Sequence, residues 1–143
     1  MVGWILFSCA VTAADLYLRR RARSKKPQRT FCNGFVEETE LQNSGLLFGF
    51  GAKYRQLTKF LPCLAWVLML LAFLLEKAIR GPLFCLLLGG GANLTERLRR
   101  GSVTDYIRFP RLPGRAGRLV WNFSDFLLLF SAVTAVIRIL RKP

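Results

Sequence analysis

Leu64-Ala-Trp-Val-Leu-Met-Leu-Leu-Ala-Phe-Leu-Leu75 has no charged residue and no apolar/polar rhythm at the 3.6-residue period of a half-buried helix. A helix of a soluble bundle needs a polar face to meet water; this segment has none, so its solvent is lipid. Outward from it, the uncharged block runs from Phe60 to Leu75. Three further blocks are similarly apolar, namely Met1 to Leu18 with Asp15 as its one charge, Gly81 to Thr95 with none, and Leu119 to Ile137 with Asp125 alone. A bilayer-spanning helix takes about 20 apolar residues. The second and third blocks are shorter, and Lys59, Lys77, Arg80 and Arg97 at their ends extend toward the headgroups. The pattern predicts an all-α membrane protein of four transmembrane helices, over about 2–18, 58–76, 81–97 and 119–138, in one domain covering 1–143. Buried helices of a soluble bundle are the competing reading, and the missing amphipathic period counts against them.

The first block ends in a small-residue run, Val11-Thr-Ala-Ala14, of the kind found at export cleavage sites, and Leu6-Phe-Ser-Cys9 is faintly like a lipidation site. No Lys or Arg precedes the run, so it reads as a retained first helix. Cys9, Cys32, Cys63 and Cys85 show no short paired spacing and the chain has no His, which argues against a zinc site; neither a metal nor a cofactor is expected. Three of the cysteines lie within apolar blocks as small hydrophobes, and Cys32 remains open as a disulfide partner. Asn93-Leu-Thr95 and Asn122-Phe-Ser124 match the glycosylation pattern, but at block edges that a transferase could hardly reach.

The net charge is +14, and 17 of the 22 basic residues fall in the first and third connections, Arg19 to Lys59 and Arg97 to Arg118. Beside an apolar helix, Arg19-Arg-Arg-Ala-Arg-Ser-Lys-Lys26 suits anionic lipid headgroups better than nucleic acid, with a merely solvated basic loop as the bland alternative. By charge alone, the positive-inside rule places these connections in the cytoplasm and both termini outside.

Asp15, Asp105 and Asp125 are the three aspartates of the chain, each in or beside an apolar block. An acid at membrane depth costs about 2.5–3.5 kcal/mol on insertion scales, so it is read first as functional. With four spans, the first and third connections emerge on one face. There Asn43-Ser-Gly-Leu-Leu-Phe-Gly-Phe-Gly51, Gly89-Gly-Gly-Ala-Asn-Leu-Thr-Glu-Arg97, Arg100-Gly-Ser-Val-Thr-Asp-Tyr-Ile107 and Trp121-Asn-Phe-Ser-Asp125 converge. The glycines of 89–91 suit close helix approach, or else a flexible cap. Two adjacent carboxylates sharing one proton supply both an acid and a base and titrate as a unit. The same groups suit proton or cation conduction. A purely structural reading also stands, with Asp105 capping a turn and Asp125 paired to Arg97.

The motifs in their order resemble bacterial lipoprotein signal peptidase, signal peptidase II, over nearly the whole chain. They are Asp15-x-x-x-Arg19, Asn43-x-Gly45-x-x-Phe48, Asn93-Leu-Thr-Glu-Arg97, Gly101-Ser-Val-Thr-Asp-Tyr-Ile107 and Asn122-Phe-Ser-Asp125. The resemblance implies a catalytic aspartyl pair, Asp105 and Asp125, with Asn93, Arg97 and Asn122 around it and Asp15, Asn43, Gly45 and Glu96 in supporting or substrate-binding positions. It implies hydrolysis of the bond before the lipid-modified cysteine of a prolipoprotein, by a monomer of the bacterial inner membrane working at the outer face without nucleic acid. It also implies a small β platform in the first connection, for which Val36-Glu-Glu-Thr-Glu-Leu-Gln42 itself carries little strand signal. Departures from the family pattern are Arg19 for Lys, Glu96 for Asp, Trp121 for Phe, Ser124 for Ala, and Leu46-Leu47 for a smaller pair. The implied orientation, with both termini in the cytoplasm, opposes the charge count; the motifs are the more specific signal and decide for the family's orientation.

Overall fold

The computed structural model describes residues 1–24, 29–46 and 51–141. Lys25 and Lys26 of the basic run, and Leu47 and Phe48 of the Asn43 motif, lie outside the described residues. Four helices carry the chain: α1 (Val2–Ala22), α2 (Arg55–Leu75), α3 (Arg80–Arg100) and α4 (Phe123–Leu140). Between them lie β1 (Thr30–Phe31) and β2 (Val36–Asn43) in the first connection, and β3 (Val103–Arg108) and β4 (Val120–Trp121) in the third.

The bundle is apolar outside and polar within, the reverse of a soluble protein. Leu68, Leu71, Leu74, Leu129, Phe130, Val133 and Val136 are exposed, whereas Ser8, Asp15, Arg19, Asn122, Ser124 and Ser131 are buried. α2 buries one residue, Thr58, along its whole length. Three helices, α1, α2 and α4, are long and apolar enough to cross a membrane. α3 falls short of that measure because three glycines and the polar stretch from Asn93 to Arg100 dilute it. It is nevertheless the central helix, packed against each of the other three, with Leu83, Cys85 and Leu87 buried. A helix surrounded by protein has no need of lipid-facing bulk. The glycines serve this packing: a Cβ on Gly89 would meet the Ser124 carbonyl of α4 at 3.2 Å, and one on Gly90 would meet Met69 of α2 at 3.2 Å. At the far end a small apolar core of Ile79, Leu83 and Ala135 closes the bundle.

The helices differ from the expected spans at their ends. α1 continues a full turn beyond 18, because Arg19 and Arg21 find carboxylate partners that keep the basic turn helical. α4 begins at Phe123 and not at 119, since Asn122 is an N-cap. Its side chain accepts from the Asp125 amide at 3.0 Å, while the Asp125 carboxylate accepts from the Asn122 amide at 3.1 Å. Residues 120–121 are therefore strand.

The four strands form one antiparallel sheet in the order β1-β2-β3-β4. The platform expected in the first connection is thus shared, since half its strands come from the third. β2 is drawn into strand by its partner and not by its own propensity. Leu41 faces Asp105 and Asn43 faces Val103 across the ladder, and Arg108 pairs with Glu37 at 2.6 Å. A register shift between Glu38 and Leu41 adds a bulge. All four cysteines are free, Cys85 buried and Cys32 exposed.

Candidate active site

β3 and the first turn of α4 deliver Asp105 and Asp125 to one centre, where Asp105 is buried and Asp125 half-buried. Asp105, 3% exposed, lies in mid-strand. Its Oδ1 accepts from Asn122 Nδ2 at 2.6 Å and its Oδ2 from Asn43 Nδ2 at 3.1 Å. Asp125 accepts the Asn122 amide on Oδ2 and Asn93 Nδ2 on Oδ1, the latter at 3.0 Å. One residue, Asn122, therefore holds both carboxylates, the first through its side chain and the second through its backbone. Gly45 donates its amide to Asn43 Oδ1 at 3.1 Å, which fixes the Asn43 amide with its NH₂ toward Asp105. Arg97 is buried, donates to the Ser44 carbonyl at 3.2 Å, and lies near enough to interact with the charges of both aspartates.

Burial pushes the Asp105 carboxyl up to about 6, and the neighbouring Asp125 carboxylate adds to the rise against the Asn122 and Asn43 hydrogen bonds. Neither structural alternative matches this geometry. Asp105 lies inside a strand, so it caps no turn, and no ion pair joins Asp125 to Arg97 among the described residues. Asp125 does take part in the helix cap, which sets its position on α4.

Side chains alternate along β3, so Thr104 and Tyr106 face away from the pair into a second network. There Asp15, fully buried, accepts from Arg19 Nε at 2.8 Å, the Tyr106 hydroxyl at 2.8 Å, Ser124 Oγ at 2.7 Å and the Phe123 amide at 3.1 Å. Burial and the Asp15 carboxylate beside it drive the Tyr106 phenol upward, so it stays a donor. Glu96 binds Arg19 and Arg23, each at 2.5 Å, and takes both the amide and the hydroxyl of Thr104. Arg19 also donates to Asn93 Oδ1 at 2.6 Å, which links the two networks through Asn93 to Asp125.

Three departures from the family pattern thus meet in one place. Arg19 reaches three acceptors with its planar fork, Glu96 spans two arginines, and Ser124 adds a donor to Asp15. Trp121, the fourth, stacks on Phe126 with centroids 5.8 Å apart. Burial of Arg19, and the pairing of Arg21 with Glu38 and of Arg23 with Glu96, withdraw these residues from the headgroup role expected of the basic run. Among the described residues no three His, Cys, Asp or Glu side chains gather as metal ligands do. The sequence carries Thr104 and Tyr106 in the 101–107 motif and Arg23 in the basic run but gives them no role in the site, because their partners lie on other elements and no local spacing reports them.

Fold and centre together define a helical membrane protein built around two carboxylates, Asp105 buried and Asp125 half-buried. The chain belongs to the signal peptidase II family: the profile of Peptidase_A8, signal peptidase (SPase) II, matches residues 7–141. It is similar in fold to two solved structures, each described as a bacterial membrane enzyme determined by the in meso method. One, at 2.3 Å resolution, gives a TM-score of 0.83 at 16% identity over 99% of this chain and 89% of that one. The other, at 1.9 Å, gives 0.81 at 16% identity over 100% and 96%. Comparison with curated proteins gives no match.

Proposed function

We propose that this chain is an aspartic endopeptidase that removes the signal peptide of diacylglyceryl-modified prolipoproteins by cleaving before the lipidated cysteine. The observation that carries the reading is Asn122, itself buried, holding Asp105 and the half-buried Asp125 together at the end of an apolar bundle. In this reading Asp125, at the N-terminus of α4 where a negative charge is favoured, takes a proton from water as it attacks the scissile carbonyl. Asp105 holds the shared proton, donates it to the carbonyl oxygen, and the pair then protonates the leaving amine as the C–N bond breaks. Asn43, Asn93 and Asn122 fix the carboxylates; Arg97 and Gly45 hold the loop after β2 against α3; Asp15 and Glu96 support the frame from behind through Arg19.

α3 serves as the fourth span, the whole chain acts as one domain and a monomer in the bacterial inner membrane, and the pair works at the outer face. Apolar surface on α1, α2 and α4 would receive the acyl chains and signal helix of the substrate. Purified protein in detergent should shorten a diacylated prolipoprotein, and Asp105→Asn and Asp125→Asn should each lower the rate by about 10²–10⁴-fold. Cleavage that persists in either variant defeats the pair as the engine. No cleavage by the intact chain, where an active family member cleaves the same substrate, would favour ion conduction through the acids.

A further inference from the structure

At the end of the bundle remote from the carboxylates, a cleft of about 390 Å³ opens between Trp4, Lys77, Arg80, Gly81 and Arg138. Asp125 and Arg138 are about 20 Å apart along α4 at about 1.5 Å per residue, so the cleft is separate from the carboxylate centre. It is built rather than left over. A Cβ at position 81 would lie 2.5 Å from the Trp4 indole, so only glycine lets the ring rest against α3 as it does. Arg138 stacks over that indole, 5.3 Å from the ring centroid. Arg80 donates to the Phe73 and Leu74 carbonyls at 3.3 and 3.2 Å, which fixes its guanidinium at the end of α2.

Lys77 completes a group of three cations. Arg19, Arg21, Arg23 and Arg108 have carboxylate partners, whereas none of these three forms an ion pair among the described residues. Three like charges held in one cleft repel each other, and among the described residues no carboxylate pairs with them. The ends of the helices at this level are strongly apolar: Leu75 and Leu140 are 77% and 79% exposed, and Val2 is 70% exposed. A tryptophan and basic side chains at the end of apolar helices mark the headgroup level of a bilayer. Basic clefts between spans at that level suit lipid phosphates.

We propose that this cleft is a binding site for the phosphate of an anionic phospholipid headgroup. The phosphate oxygens accept from Lys77 and from the free N–H groups of Arg80 and Arg138, while the acyl chains lie on the adjoining apolar surface. An inorganic phosphate ion shares the charge chemistry but leaves that surface uncovered, so lipid is the favoured source. A bound headgroup ties together α1, α3 and α4 where Trp4 rests against Gly81 and beneath Arg138.

The test is native mass spectrometry of the full chain in neutral detergent, incubated with equal amounts of phosphatidylglycerol and phosphatidylcholine. Wild type should retain one phosphatidylglycerol in preference by about tenfold, and inorganic phosphate at the same concentration should fail to displace it. Lys77→Gln with Arg138→Gln should lower retention about fivefold or more, and Lys77→Arg with Arg138→Lys should restore it. Arg115→Gln with Arg118→Gln removes as much charge from the third connection and should change nothing. If the double variant does not fold, Lys77→Gln alone, at an exposed position, must still weaken retention. Equal loss in the Arg115/Arg118 control, full retention in the cleft variants, or ready displacement by inorganic phosphate would each overturn the assignment.

Discussion

Asp15 collects donors from three elements and the α4 backbone, and this separates its role from that of the other two aspartates. Removing its charge leaves Arg19, Tyr106, Ser124 and the Phe123 amide short of an acceptor in a buried site. Asp15→Ala should therefore destabilise by about 3–5 kcal/mol, as breaking a buried ion pair does. Ser124→Ala, which deletes one donor, should cost about 1 kcal/mol. Thermal unfolding in detergent measures both. Asp105 behaves in the opposite sense. Its folded carboxyl lies near 6, above the ordinary value of 3.8. Between those values the native state holds a proton that the unfolded chain has released, so stability falls as pH rises from about 4 to about 6 and is level beyond. Wild type should lose on the order of 3 kcal/mol relative to Asp105→Asn across that window. A parallel pH dependence of the two unfolding curves would show that Asp105 does not titrate there. The motif order already sets Asp105 and Asp125 apart as an expected pair with Asp15 in support; the donors that hold each carboxylate are not legible there, because they arrive from separate elements.

Among the elements, α3 shows how far a glycine run specifies packing. Gly89 faces the backbone of α4 at Ser124, one residue before Asp125, whereas Gly90 faces the flexible end of Met69. Backbone cannot yield as a methionine can. Gly89→Ala should therefore push α4 away from β3 and lower kcat about tenfold with little change in KM, since Asp125 rides on that turn. Gly90→Ala should be close to neutral, its modest crowding offset by roughly 1 kcal/mol of helix propensity. Paired kinetics and melting curves distinguish the two. The expected fourth span starts at 119, four residues before α4 does, because Leu119 to Trp121 are apolar in strand and helix alike. Only the Asn122 cap tells where the helix begins, and its signal, Asn three residues before Asp, is present in Asn122-Phe-Ser-Asp125. β2 is the harder case, because Glu37, Glu38 and Glu40 disfavour strand locally, and it is the pairing of Glu37 and Glu38 with Arg108 and Ile107 of β3 that holds the segment extended.

For the whole molecule, orientation is the property on which charge and family disagree. The first and third connections carry most of the basic residues, yet the proposed function puts them outside. The structure eases part of the conflict, since Arg19, Arg21, Arg23 and Arg108 are neutralised by Asp15, Glu96, Glu38 and Glu37. A reporter that is active only in the cytoplasm, fused to the C-terminus, should be active; a silent reporter on a well-expressed fusion would reverse the orientation. The sequence by itself determined the solvent of the fold, the four apolar blocks, and the motif order that places the chain in its family. Those follow from composition and from spacing along the chain, which folding does not change. The tertiary structure alone decided which donors hold each acid, that the platform is woven from two connections, and that Arg19 serves the interior and not the lipid surface. Each depends on hydrogen bonds between residues far apart in sequence, and their directions are set only when the helices and strands have packed.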